Sequence, residues 1–365
     1  MKSIQLKSTL FMLVLAAAFS SCRKDKDNTP EAPDTTPVRK GLYILNEGLI
    51  NDNNSSLAYY DYDTKVIVPN QFFAVNNRGL GDTGNDIEVY GFKMYVVMDA
   101  SNTVEVVNAR TAKSIKQIPF VNGTAGRRPR HVVFNKNKAY VSSYDGTVAV
   151  IDTASLAIEK YITVGRNPEK MAVANGKLYV ANSGGLSFPN YDKTVSIIDL
   201  TTQAVIKTVT VTENPTGAAA DQYGNVYILS AGNYGDVAPA MTVIDSKTDI
   251  ITKTFVNFSG DLMAVNGDHA YIAGAVYDAN GKASTYVKLF NVKTMLIEKD
   301  NFITDDTVIS TPYGINADPV TGEIFITDAK DYSTNGQVFC FTPAGVRKYV
   351  LTAGINPNGV AFINK

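Results

Sequence analysis

An aliphatic or aromatic residue followed by Asp or Asn recurs along the chain at nearly constant intervals. The copies are Tyr60-Asp61, Val107-Asn108, Ile151-Asp152, Ile198-Asp199, Ile244-Asp245 and Phe290-Asn291, with Phe341-Thr342 as an altered last copy. The second residues stand 47, 44, 47, 46, 46 and 51 positions apart. An Asp or Asn at such a place can accept from its own backbone two residues on and close a hairpin. Seven copies at this interval define seven structural repeats.

Two further periodicities agree on the count. A Tyr or Phe sits inside a strand-like run at Tyr43, Tyr95, Tyr140, Tyr179, Tyr227, Tyr271 and Phe325. An X-Pro pair opens a third run at Arg128-Pro129, Asn167-Pro168, Asn214-Pro215, Thr311-Pro312 and Asn356-Pro357, and Asn85-Asp86 and Gly260-Asp261 fill the two remaining slots. Proline fixes φ and lacks an N–H, so it belongs at a strand's first residue.

From Gly41 onward no stretch of ten or more residues has apolar positions at helical spacing, and short Val, Ile, Tyr and Phe runs alternate with Gly, Asn, Asp and Pro. The fold class is therefore all-β: a seven-bladed β-propeller of four-stranded antiparallel blades. The last inner strand, Asn358 to Phe362, lacks later partners, and the first strand after the tether, Leu42 to Leu45, has no inner strand before it. Their pairing would close the ring and remove an open edge. The chain has no tryptophan, which disfavours the WD40 class. The runs Lys177-Leu178-Tyr179-Val180-Ala181-Asn182 and Val195-Ser196-Ile197-Ile198-Asp199 resemble those of YVTN-type propellers. That resemblance concerns fold and leaves function open.

The amino terminus has a different grammar. Lys2 and Lys7 precede the apolar run Leu10 to Phe19, followed by Ser20, Ser21 and Cys22. This describes a secretory leader, too short to span a bilayer. It resembles a bacterial lipoprotein signal in which Cys22 becomes the lipidated first residue, with Phe19 where an aliphatic is usual, a departure tolerated in Bacteroidetes. Arg23-Lys24-Asp25-Lys26-Asp27 resembles the signal that sends such lipoproteins to the outer face of the outer membrane, a periplasm-facing anchor being the alternative. The expected organisation is a leader over 1–21, a flexible tether over 22–40 rich in Pro, Thr and acid, and a propeller over 41–365.

Net charge is −1 and the densest basic cluster is Arg127, Arg128 and Arg130, too small for a nucleic-acid surface. Two cysteines exclude a disulfide framework, and Cys340, between Phe339 and Phe341, reads as a small buried hydrophobe. The two histidines, His131 and His269, fall about three blades apart and read as structural rather than as metal ligands. No Cys-X-X-Cys, phosphate loop or Gly-X-Ser-X-Gly occurs, and Gly79 to Gly84 reads as a flexible connection. No catalytic residue and no metal site is therefore assigned.

Binding chemistry concentrates in the loops of one face. Connections after each second strand carry Tyr144, Phe188, Tyr191, Tyr234, Tyr277 and Tyr332, which places an aromatic on that face in six of the seven blades. Connections into the first strands carry Arg130, Glu169, Tyr313 and Asn358, with Asn85 at an equivalent start. Tyrosines beside Asn, Arg and backbone groups suit a large flat ligand rimmed with amides or hydroxyls.

Leader, tether and tyrosine-rich YVTN-like propeller together resemble the BtuG family of surface lipoproteins of Bacteroidetes. The resemblance implies capture of cobalamin as a transported ligand, with no other cofactor, and delivery to a TonB-dependent outer-membrane transporter. A surface glycan- or peptide-binding lipoprotein is the alternative. A calcium-dependent lactonase-like hydrolase using Glu169, Asn358 and Asn85 with Asp86 is the remaining one.

Overall fold

The computed structural model describes residues 38–277 and 283–365, the side chains of 276, 277 and 283 excepted. The leader, Cys22 and the tether as far as residue 37 lie outside the described residues, as does the side chain of Tyr277.

Seven four-stranded antiparallel sheets follow one another around a central channel. We number the blades by their inner strands: Gly84–Tyr90, Pro129–Asn135, Pro168–Ala174, Pro215–Ala220, Leu262–Asn266, Pro312–Ala317 and Pro357–Asn364. In blades 1 to 6 the chain runs outward strand by strand; in blade 7 the inner strand is the last of the chain and pairs with the first strand, Arg39–Asn46. Leu42 faces Phe362 and Ile44 faces Val360 in that pairing, so the ring closes as the terminal sequences require. The first strand starts two residues before Gly41.

The hairpin motif works as its chemistry dictates. Asp152 Oδ1 accepts from the backbone N–H groups of Ala154 and Ser155, Asp199 Oδ1 from Thr201 and Thr202, and Asp245 Oδ1 from Lys247 and Thr248. Asp61, Asn108 and Asn291 do the same. Thr342 is too short for that turn and instead accepts from Val346 at 3.2 Å.

Tyr43, Tyr95, Tyr140, Tyr179, Tyr227, Tyr271 and Phe325 are all buried. They belong to seven apolar clusters, each filling the space between two adjacent blades. Cys340 lies in the cluster between blades 6 and 7, where burial pushes its thiol up to about 12. Each blade is thus stable only against its neighbours, and closing the ring covers the two faces that would otherwise be bare.

Three local features depart from expectation. A six-residue helix, Gln71–Asn76, capped by Asn70 and buried through Phe72, follows the two-residue outer strand of blade 7; it is too short to leave a periodic signal. The stretch Gly79 to Gly84 is a packed loop rather than a flexible connection, because Leu80 and Thr83 are buried and Gly81 accepts from Ser55 N. In register, Gly84 and Gly260 take the place of proline in blades 1 and 5, two residues and one residue earlier than the slots read from sequence.

Candidate functional site

Strand register gives each blade one equivalent residue at the channel mouth, three before the residue that pairs with the buried Tyr or Phe. Around the ring these are Asn85, Arg130, Glu169, Thr216, Asp261, Tyr313 and Asn358. All seven are polar, although an inner strand packed on both sides has no need of polar groups there. Asn85, Arg130, Glu169, Tyr313 and Asn358 are among the residues the sequence points to; Thr216 and Asp261 are not among its binding candidates. The missed signal is simple: the ring residue directly follows each of the five strand-opening prolines and both glycines that replace them.

Blades 1 to 3 contribute a charge network. Arg130 donates from Nε to Glu169 Oε2 at 3.1 Å and from Nη1 to Asp99 Oδ2 at 2.8 Å. Arg128 grips the same Asp99 with two bonds, at 2.8 and 3.0 Å. That grip accompanies the left-handed backbone of Arg128 (φ 56°), a conformation filled by Asn before three of the other prolines. Tyr144 donates its hydroxyl to Glu169, and its ring lies under the Arg130 guanidinium, 4.5 Å from centroid to Cζ. Burial alone would raise the Glu169 carboxyl, but Arg130, His131 and Tyr144 outweigh it and hold it at about 2. His131 sits between two carboxylates, 3.5 Å from Asp86 and 3.7 Å from Glu169.

Across the mouth, Tyr313 donates to Glu47 at 2.5 Å. Burial pushes the Glu47 carboxyl upward, against the opposing pull of Tyr313 and Arg130. Asn85 and Asn358 donate their amides to Arg130 O and Gly84 O, each at 2.6 Å. A cavity of about 190 Å³ opens between these groups, continuing inward past Asp86, Glu88 and Lys170. Glu47, Asp99 and Lys170 escape sequence reading because they belong to different blades and converge only when the blades pack around the ring.

Aromatics form the outer part of this face. Phe188 and Tyr234 are 72% and 74% exposed, and Tyr191 stands between them edge-on, its centroid 6.1 and 6.0 Å from theirs. Tyr332 is half-exposed and meets Tyr313 edge-on at 5.7 Å. Two corrections follow. The aromatics come from five blades, 2 to 6, and not six, because Phe188 and Tyr191 share one loop and Tyr313 and Tyr332 share one blade. Tyr144 belongs to the polar network rather than to the open rim.

No group of three or more His, Cys, Asp or Glu among the described residues is arranged to hold a metal ion. Glu169, a calcium donor in the hydrolase alternative, is already bonded to Arg130 and Tyr144.

The fold is thus that of a seven-bladed propeller presenting a polar ring within a crescent of aromatics. The chain belongs to the family described as Domain of unknown function (DUF5074), whose model matches residues 40–342. No curated protein matches it. Among solved structures, a quinoprotein alcohol dehydrogenase-like protein from Bacteroides thetaiotaomicron is similar at 16% identity and TM-score 0.63, covering 89% of this chain and 78% of that one. Hydrazine synthase from Kuenenia stuttgartiensis is similar at 14% identity and TM-score 0.61, with 77% and 95% covered. The WD40 domain of Pan2 from Neurospora crassa is similar at 13% identity and TM-score 0.55, with 76% and 81% covered. At these identities the likeness shows fold alone.

Proposed function

We propose that this chain is a lipid-anchored, cell-surface binding protein that captures cobalamin at the channel mouth and passes it to a TonB-dependent transporter, without catalysing a reaction. The observation that carries the reading is the juxtaposition of one polar residue from every blade with exposed aromatics from blades 3, 4 and 6. Such a face suits a ligand broad enough to touch several blades, flat enough to lie on ring faces and bordered by hydrogen-bonding groups. Cobalamin has that form: a wide macrocycle fringed with amides and without net charge.

Electrostatics favour the same class. Asp99 is compensated by Arg128 and Arg130, Glu169 by Arg130, and Glu47 by a tyrosine hydroxyl. The mouth therefore offers fixed dipoles more than a net field, and rigid, already bonded side chains lose little entropy on binding. A hydrolase would need a nucleophile with its base, or a metal, facing open space. The acids here are mostly engaged with one another's partners.

Calorimetric titration of cyanocobalamin into residues 38–365, within the compact unit Pro37–Lys365, tests the reading. One-to-one binding supports it. Absence of heat, together with an unchanged melting temperature in excess ligand, removes cobalamin and turns the search to surface glycans and peptides. Failure of the full lipoprotein to co-purify with any TonB-dependent transporter from native membranes would remove the hand-over step.

A further inference from the structure

Of the ring carboxylates, Glu169 is tied to protein donors. Asp261 is not. Among the described residues no hydrogen-bond donor and no cation reaches its side chain, and burial is the one cause acting on its carboxyl, which it raises. The residue nevertheless remains open to water at the mouth. Its own backbone N–H is committed to Ala273 O at 3.2 Å.

Asp261 borders a cleft of about 130 Å³ between blades 5 and 6, lined also by Gly274, Thr285, Ser310, Thr311 and Tyr332. Several donors along that cleft are engaged elsewhere. The backbone N–H groups of Ser310 and Thr311 bond to Asp328 at 2.9 and 2.8 Å, the Thr285 hydroxyl to Ile309 O at 2.6 Å, and the Thr311 hydroxyl to Lys330 O. A carboxylate at the channel mouth that no donor among the described residues holds can accept one from a ligand. Inserting it in the fold serves no packing purpose, since blade 4 has the small Thr216 at the same ring position.

We propose that Asp261 is a specificity-determining residue of the mouth: its carboxylate receives an N–H from a ligand's amide or ammonium group and rejects ligand carboxylates. This deepens the binding-face reading and rests on it, but it does not require the ligand to be cobalamin. An uncompensated negative charge at the mouth repels a second one and accepts a charge-assisted hydrogen bond from an N–H brought to it.

The first experiment uses saturation-transfer NMR with propionamide, methylammonium and propionate at equal concentrations on residues 38–365, comparing wild type with Asp261→Ala and Asp261→Asn. Propionamide and methylammonium are expected to give saturable signals that Asp261→Ala removes, and propionate little or none. An equal response to propionate, or a propionamide signal indifferent to Asp261→Ala, overturns the assignment. Melting temperatures of both variants guard against misfolding, and a drop of many degrees in Asp261→Asn would instead make Asp261 a structural residue.

The second experiment measures cyanocobalamin and its monocarboxylic acid derivatives by calorimetry. Asp261→Ala is expected to weaken cyanocobalamin about tenfold, as loss of one charge-assisted hydrogen bond does, and Asp261→Asn to narrow the discrimination against the acids. Should the wild type bind no cyanocobalamin while the propionamide signal still depends on Asp261, the cobalamin reading falls and the role of Asp261 stands. Cyanocobalamin binding that neither variant alters overturns that role.

Discussion

Arg130 Nε lies 3.1 Å from Glu169 Oε2, a bond that ties the inner strand of blade 2 to that of blade 3 with side chains only 19% and 9% exposed. The same guanidinium reaches Asp99 of blade 1, so a single side chain spans three consecutive blades. Ring geometry at this end of the channel is therefore set by charge as well as by the apolar clusters between blades.

Removing the cation should be costly. Arg130→Met leaves Glu169 with only Tyr144 and His131, and Asp99 with only Arg128. Breaking one side of a buried pair is worth about 3 kcal/mol, visible as a lowered denaturation midpoint in guanidinium. The double variant Arg130→Met, Glu169→Leu should recover much of the loss, because no buried charge is then stranded at that pair. A double variant as unstable as the single one would contradict the stranded-charge account.

Glu169 also links stability to pH. Its carboxyl is held at about 2 against an ordinary value of 4.5, so the folded state binds the proton less readily than the unfolded chain. The resulting stabilisation, on the order of 3 kcal/mol, is fully present above pH 4.5 and lost as pH falls toward 2. Urea titrations between pH 5 and 2.5 should show a steeper decline for wild type than for Glu169→Gln, which cannot titrate there. Parallel curves would place the acid sensitivity elsewhere.

Most of the architecture is legible in the sequence because each blade repeats the same local chemistry: Asp or Asn at a hairpin, a buried Tyr, a proline opening the inner strand. These are short-range requirements and leave short-range marks. The charge network as such left none, since Asp99, Arg130 and Glu169 come from three successive blades and meet only when these pack together, and Glu47 joins them only through ring closure. Thr216 and Asp261 were legible in principle, one residue past a proline or its glycine substitute, but only once all seven strands are aligned by register.

The repeated tyrosines are not equivalent, and hydroxyl removal should separate them. Tyr179 donates to Asp249 Oδ1 at 2.5 Å, linking blades 3 and 4, and Lys177 holds the other oxygen at 2.7 Å. Tyr95 has a buried hydroxyl with no hydrogen-bond partner among the described residues, and burial pushes it up to about 12. Tyr179→Phe should cost about 2 kcal/mol, the worth of a bond to a charged acceptor. Tyr95→Phe should be neutral or slightly stabilising, because it removes an unsatisfied polar atom. Thermal denaturation of the two variants side by side decides the point.

Exposed aromatics on the binding face should matter for ligand and little for folding. Phe188 is 72% exposed; Phe188→Ala is expected to change stability by less than about 0.5 kcal/mol and to weaken cyanocobalamin about tenfold, measured by calorimetry. Phe92, 62% exposed and in the first hairpin of blade 1, at the opposite end from the mouth, is the control. Equal effects of Phe92→Ala and Phe188→Ala on affinity would exclude this face as the binding surface.

Closure by the first strand makes a sharper demand. A strand beginning at Arg39, the first of the described structure, would ordinarily fray, yet Leu42, Tyr43, Ile44 and Leu45 are all at most 1% exposed and pair with the last strand of the chain. Tyr43 joins the cluster between blades 7 and 1, with Ile87, Met94 and Val96. Tyr43→Ala should therefore cost about 4 kcal/mol, as a large buried aromatic does, and no less than Tyr140→Ala in the middle of the chain. Native-state hydrogen exchange gives the independent reading: if the terminal strands lock the ring, amides of residues 42–45 are protected as strongly as those of 139–142, whereas early exchange at the terminus would mean that the ring opens there first.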